Sequence, residues 1–159
     1  MNDAFQFERS DSGDKSCIVL KGVVDEDAIL QDAFADVKTN VEIDTKGILR
    51  INSCGIRTWV NLISDLTSQH DVTFVNCPPV IVRQFNMISN FGGTGKVKSF
   101  MLPYYCSNCD EEHDIEADAA SYLSEHPGLD VPAHTCPTCG ENLEFDDIEE
   151  KYLHFLKQQ

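Results

Sequence analysis

The sequence predicts an α/β layer, a sheet with helices packed on it, followed by a small C-terminal module built around clustered cysteines. Three observations predict it. Short apolar runs alternate with helix-period segments as far as Met101. Charge then shifts sharply at Leu102-Pro103: ten basic groups stand against thirteen acidic ones through residue 103, and two against fourteen after it. Two Cys-x-x-Cys pairs lie in that acidic stretch. The expected division is 1–102 for the α/β domain and 103–159 for the acidic one.

Taken in order, Phe5-Gln6-Phe7 and Cys17-Ile18-Val19-Leu20 read as strands separated by a polar turn over residues 10–15. Asp25-Glu26-Asp27 supplies acidic residues for the start of a helix carrying Ile29, Leu30, Ala33 and Phe34. Val41 and Ile43 alternate with polar residues, as in a strand buried on one face, and Ile48, Leu49 and Ile51 follow a turn at Gly47. Gly55 opens the clearest helix, with Ile56, Trp59, Val60, Ile63 and Leu66 on one face. A buried run at residues 72–75 ends at Cys77-Pro78-Pro79, and a helix with Ile81, Phe85 and Ile88 on one side comes next. Residues 90–95 form a glycine-rich turn before a last strand over 97–101.

Cys106-Ser107-Asn108-Cys109 and Cys136-Pro137-Thr138-Cys139 are separated by 26 residues. Each pair can present two thiolates to one cation, and four thiolates complete the tetrahedron that Zn²⁺ accepts. Gly140 suits a tight turn after the second pair. Tyr104-Tyr105 and Leu143-Glu144-Phe145 read as strand arms, which makes the module a zinc ribbon with one structural Zn²⁺ on Cys106, Cys109, Cys136 and Cys139. Four cysteines leave no open position for water or substrate. The long insert suggests a helix over 115–125 with Ala117, Ala120 and Leu123 spaced for packing, and residues 148–156 suggest a C-terminal helix with Ile148, Tyr152 and Phe155 on one side. His113, His126 and His134 are expected as polar loop residues.

The 159 residues suffice for one core and a small annex. A hydrophobic fraction of 42% excludes a disordered chain. No run approaches the ~18–20 apolar residues of a bilayer span, so membrane insertion is not expected. Residues 1–14 are acidic and polar, unlike a secretory signal, which points to the cytoplasm and reduced thiols. A net charge of −15 disfavours nucleic acid, because phosphates are neutralised by Lys and Arg clusters.

The stretch Val41-Glu42-Ile43-Asp44 through Ile51-Asn52-Ser53-Cys54-Gly55-Ile56-Arg57 resembles the STAS domains of anti-sigma factor antagonists. In that family, Asp-Ser-Ser-Gly-(Leu/Ile) opens a helix after a strand, and the order of elements through residue 101 fits as well. The resemblance implies a STAS-like mixed sheet and a bacterial, non-enzymatic signal-transduction protein. It places a phosphorylated serine at Ser53 and a protein-binding face at Asn52, Ser53, Cys54, Gly55 and Arg57. The implied partner is a serine-kinase anti-sigma factor or a larger signalling assembly. Ser53 sits where a helix N-terminus favours an anion, and a phosphate would add about −1.5 to −2 charge there. Asn52 stands where the family has Asp, and Cys54 replaces its second Ser, so Asn52 and Ser53 can equally serve only to cap the helix. One alternative is a STAS-like scaffold subunit of a sensory or transport complex without phosphoregulation. Another, from a different class, is a thiol-dependent enzyme or redox sensor using Cys54 near Arg57.

Cys54 is expected to fill a half-buried, Ser-sized site, and Cys17 and Cys77 to be core residues. Gly92-Gly93-Thr94-Gly95-Lys96 lacks the first Gly and the Ser/Thr of a phosphate loop. Asp146-Asp147 with Glu149-Glu150 lacks calcium-loop spacing and reads as an acidic helix start.

Overall fold

The structure, a computed structural model, describes residues 3–159; residues 1 and 2, the first of the polar N-terminal stretch, lie outside the described residues. Strands β1 (Gln6–Ser12) and β2 (Lys15–Val24) form an antiparallel hairpin paired up to Ser12 and Lys15. The expected six-residue turn therefore contracts to Gly13-Asp14, with Gly13 at φ 60°, since a two-residue hairpin turn needs a left-handed position. Strands β3 (Asn40–Ile51), β4 (Asp71–Val75) and β5 (Lys96–Val97) add successively in parallel, giving the order β1-β2-β3-β4-β5. Helix α1 (Ser53–Gln69) is the crossover from β3 to β4, as parallel neighbours require, and α2 (Pro79–Met87) follows β4. This is the mixed sheet with packed helices that the sequence predicts.

Alternation within the strands sets the packing. Ile18, Leu20 and Val24 of β2 are buried with Val41 and Ile43 of β3 and Val72 and Phe74 of β4, so one sheet face is apolar. Helix α1 sets Trp59, Ile63 and Leu66 on it, and each such side chain stabilises the fold by roughly 1.5–3 kcal/mol. Trp59 stacks on Phe91 at 5.1 Å between ring centres and donates its Nε1–H to the Phe91 carbonyl at 2.9 Å. Phe85 of α2 meets Phe74 edge-on at 5.2 Å, which puts both helices on the same face. On the other face, Cys17, Val19, Glu42, Thr73 and Val75 are half-buried.

Two glycines mark where backbones meet. A Cβ on Gly55 would lie 2.2 Å from the Val24 carbonyl oxygen, so the first turn of α1 rests directly on the end of β2. Gly47, expected at a turn, lies inside β3 instead. The register with β2 slips there, and a Cβ would come within 3.0 Å of the Leu20 carbonyl oxygen. The slip keeps Ile48 buried although the strand has gained a residue.

The helix expected after Asp25-Glu26-Asp27 is only one 3₁₀ turn, Leu30–Phe34. The Asp25 carboxylate accepts from the Asp27 N–H at 3.0 Å, which closes a turn instead of opening a helix, and no side chain caps the segment at Ile29. The expected last strand divides at Lys98, whose N–H donates to the Phe74 carbonyl at 2.8 Å. Beyond it, β6 (Ser99–Cys106) becomes the centre of a second sheet, β7-β6-β8, with β7 at Glu111–Asp118 and β8 at Glu144–Phe145.

Strand β7 occupies the start of the expected insert helix, which begins only at Ala119 as α3 (Ala119–Glu125). Asp118 sets that start by accepting from the Ser121 N–H at 3.0 Å. The C-terminal helix is also shorter, a single turn α4 (Glu149–Tyr152) continued by the 3₁₀ turn His154–Gln158. Ile148 is 65% exposed, whereas Tyr152, Leu153, Phe155 and Leu156 are buried. They pack back on α2: Asn86 Nδ2 donates to the Tyr152 carbonyl and Asn86 Oδ1 accepts from the Phe155 N–H, both at 2.8 Å. Arg83 pairs with Asp147 at 2.9 Å. The Phe155 ring lies 5.1 Å from Phe100 and 6.3 Å from Phe85, so the buried residues form one cluster reaching through both sheets.

Candidate metal centre and docking surface

Cys106 ends β6, and Cys109 follows in the turn to β7. Cys136 and Cys139 sit in a separate turn, closed by the Thr135–Asn142 bridge and by the Cys136 N–H donating to the Glu141 carbonyl at 2.7 Å. Each pair is followed by a left-handed residue, Asp110 at φ 55° and Gly140 at φ 79°. That conformation lets backbone N–H groups turn toward sulfur, and the Cys109 N–H lies 3.4 Å from Cys106 Sγ. Strand β8 pairs Phe145 with Tyr104 and Glu144 with Tyr105, as expected for the two strand arms.

All four sulfurs lie within 4.8 Å of one another, and Cys106 Sγ is 3.5 Å from Cys139 Sγ. No disulfide is formed. Zinc–sulfur bonds of about 2.3 Å imply an S···S edge of roughly 3.8 Å, so this donor set fits a tetrahedral thiophilic ion. Backbone N–H donation from Glu141, helped by the Asn108 side chain, pulls the Cys139 thiol down to about 6. Burial works to raise Cys136, but the N–H groups of Cys139 and Thr138 hold it below its ordinary value. Cys109 is raised, chiefly by its hydrogen bond with Cys139. Four cysteines so placed are compatible with a zinc ribbon.

His113 is not a loop residue. It projects from β7 with Nε2 3.7 Å from Cys136 Sγ and 3.4 Å from Glu111 Oε2, while Thr138 Oγ1 donates to that same oxygen at 3.1 Å. The signal was available as alternation: Glu111, His113, Ile115 and Ala117 share one strand face. His126 and His134 stand elsewhere, His126 against Asp130 at 3.2 Å and His134 edge-on to Tyr104.

In the first module, Asn52 caps α1. Its Oδ1 accepts from the Gly55 N–H at 2.8 Å, and its Nδ2 donates to Glu26 Oε2 at 2.8 Å. Asn52, Ser53, Cys54 and Arg57 are exposed together, and Gly55 is buried beneath them against β2. The Ser53 hydroxyl takes no part in the cap. Cys54 differs from its expected half-buried setting, because Gly55 is the residue that faces the sheet at this turn. Cys77 is wholly buried and burial pushes its thiol up to about 12, so it is inert packing. Cys17 is only half-buried, its Sγ 3.7 Å from Glu42 Oε2.

Glu26 is the residue that sequence reading did not connect with this surface, because its partner lies 26 positions away. A carboxylate at position 52 would still cap the helix but would meet Glu26 with like charge, whereas Asn52 donates to it. This hydrogen bond holds the Glu26 carboxyl below its ordinary value. A lowered folded value stabilises above the unfolded value and is lost as pH falls through the lowered one. In Asn52→Ala, the Glu26 midpoint is expected to rise toward the ordinary range in a carboxyl ¹³C titration, with about 1 kcal/mol of stability lost through the missing cap. An unmoved midpoint would contradict the contact.

No family model matches the chain, and no curated protein matches it. Among solved structures it is similar to an anti-sigma factor antagonist from Mycobacterium paratuberculosis, with 18% identity over 55% of this chain and 80% of that one, at a TM-score of 0.47. The strand order and register stand independently of this likeness. No helix among the described residues is long and apolar enough to cross a membrane.

Proposed function

We propose that the chain is a cytoplasmic, non-enzymatic regulatory module that docks a protein partner through the start of α1. The observation that carries this reading is the first turn of that helix. Asn52 satisfies the cap and anchors Glu26, which leaves Ser53, Cys54 and Arg57 side by side and exposed. The sequence resemblance assigns that turn to partner binding and Ser53 to phosphorylation. The free Ser53 hydroxyl is available to a kinase, and a phosphate there would add charge beside the Asp25-Glu26-Asp27 loop, repelling an acidic or apolar partner face. A serine-kinase anti-sigma factor or a signalling assembly is the partner class that fits.

The four cysteines hold one structural Zn²⁺ in this reading, supported by the all-sulfur donor set and its spacing. The ion fixes the acidic module, whose charge steers a basic partner surface at low salt. The scaffold alternative without phosphoregulation is favoured by Asn52, which sets an amide instead of a carboxylate next to Ser53 in the chain.

Binding of a captured partner to wild type, Ser53→Asp and Arg57→Glu separates these readings. Both substitutions are expected to weaken binding at least tenfold if the turn is the docking surface and charge controls it. Loss with Arg57→Glu alone selects the unregulated scaffold. Unchanged binding by both variants contradicts the docking surface.

A further inference from the structure

The register of the second sheet places Glu111 opposite Cys106 and His113 opposite Tyr104, on the strand beside the cysteine turn. This brings a carboxylate, an imidazole and the Cys136 thiol together, their ligand atoms all within 4.8 Å of one another. The separations are informative. The His113–Glu111 distance of 3.4 Å exceeds the ~2.7–3.2 Å of an N–H···O hydrogen bond. It matches the edge of roughly 3.3–3.4 Å between N and O ligands held about 2.0–2.1 Å from a tetrahedral ion. The 3.7 Å from His113 Nε2 to Cys136 Sγ is close to the corresponding N···S edge.

The carboxylate is oriented before any ion arrives, because Thr138, within the second Cys-x-x-Cys turn, donates to Glu111 at 3.1 Å. A metal-ligand carboxylate is commonly held by such a neighbour. Access is also suitable: the His113 and Glu111 side chains are 20% and 46% exposed, whereas Cys136 is buried. Electrostatics favours added positive charge, since residues after 103 carry two basic groups against fourteen acidic ones. Four thiolates around one divalent ion still leave a local charge of about −2.

We propose that Glu111, His113 and Cys136 form a second divalent-cation site, joined to the four-cysteine centre through a shared Cys136 thiolate. Sulfur, imidazole nitrogen and carboxylate oxygen are the donors of Zn²⁺ or a similar borderline ion. This inference rests on the four-cysteine reading but fails separately from it. With only three protein ligands, the second ion keeps a position open to water or an external anion, unlike the closed structural site.

The test is metal content of the full chain, measured by inductively coupled plasma mass spectrometry after reconstitution with Zn²⁺ and removal of excess, alongside Co²⁺ absorption titration. Wild type is expected to hold two ions per chain. His113→Ala and Glu111→Gln are expected to hold one, with the thiolate-to-cobalt charge-transfer band of the first ion retained. One ion in wild type at saturating metal would overturn the second site and leave the first intact. If His113→Ala only speeds loss of a single ion, the imidazole serves as a hydrogen-bond donor to Cys136 and the second site is overturned. Retention of two ions by both variants would overturn the ligand assignment.

Discussion

Cys106→Ser is expected to empty the four-cysteine site and to loosen the two cysteine turns, with residues 106–111 and 135–142 losing amide-exchange protection. The effect is large at the cysteine turns because little besides the ion holds them, whereas the rest of β6 and β7 lies in the shared core. The two turns are joined to each other by side-chain contacts, and β8 contributes only two paired residues. Structural zinc contributes on the order of 10–16 kcal/mol of apparent binding in small zinc peptides, comparable with the whole stability of a typical domain. Cys106 is the wholly buried member of the set and ends the central strand β6. Exchange mass spectrometry with metal analysis measures both consequences. Unchanged protection in a metal-free variant would show that packing alone holds the turns.

The second large effect concerns the joint between the two parts. Phe155→Ala removes a ring held against Phe100 and Phe85 and is expected to cost about 3–5 kcal/mol, as for other buried aromatic truncations. At roughly 2–4 °C per kcal/mol for a chain of this size, the melting temperature should fall by about 10 °C. Trp59, the single tryptophan, lies in the first module under Phe91 and reports that half by fluorescence. Circular dichroism reports the whole chain. The shared core and the Asn86 hydrogen bonds predict that both signals shift together. A fluorescence transition unmoved by the substitution would mean that the modules unfold independently.

What could be read in advance was whatever has a local cause. Helix α1 announces itself by Trp59, Ile63 and Leu66 at helical spacing, and the sheet strands by two-residue alternation. The cysteine pairs are chemically specific at any distance, so their convergence needed only the spacing. Elements set by distant partners were less legible. Ala117, Ala120 and Leu123 have helical spacing, yet residues 111–118 extend because the exposed edge of β6 requires hydrogen-bond partners. Ile148, Tyr152 and Phe155 read as one helix face, but burial against α2 selects Tyr152, Leu153, Phe155 and Leu156 and leaves Ile148 outside.

The sites divide in the same way. The resemblance of the motif made Ser53 and Arg57 candidates, but the sequence could not show that Asn52 serves two partners at once. Nor could it show that Gly55 rests on Val24, which turns Cys54 outward. His113 and Glu111 belong beside the cysteines only once β7 is recognised as a strand, because the expected loop gives them no common direction.

The docking surface is tested most directly by amide hydrogen exchange of the chain with and without its captured partner. Slowed exchange concentrated at Ser53 to Arg57 and in the neighbouring residues 25–28 is the predicted footprint. Protection confined to the second sheet, with the first turn of α1 exchanging as in the free chain, would contradict it.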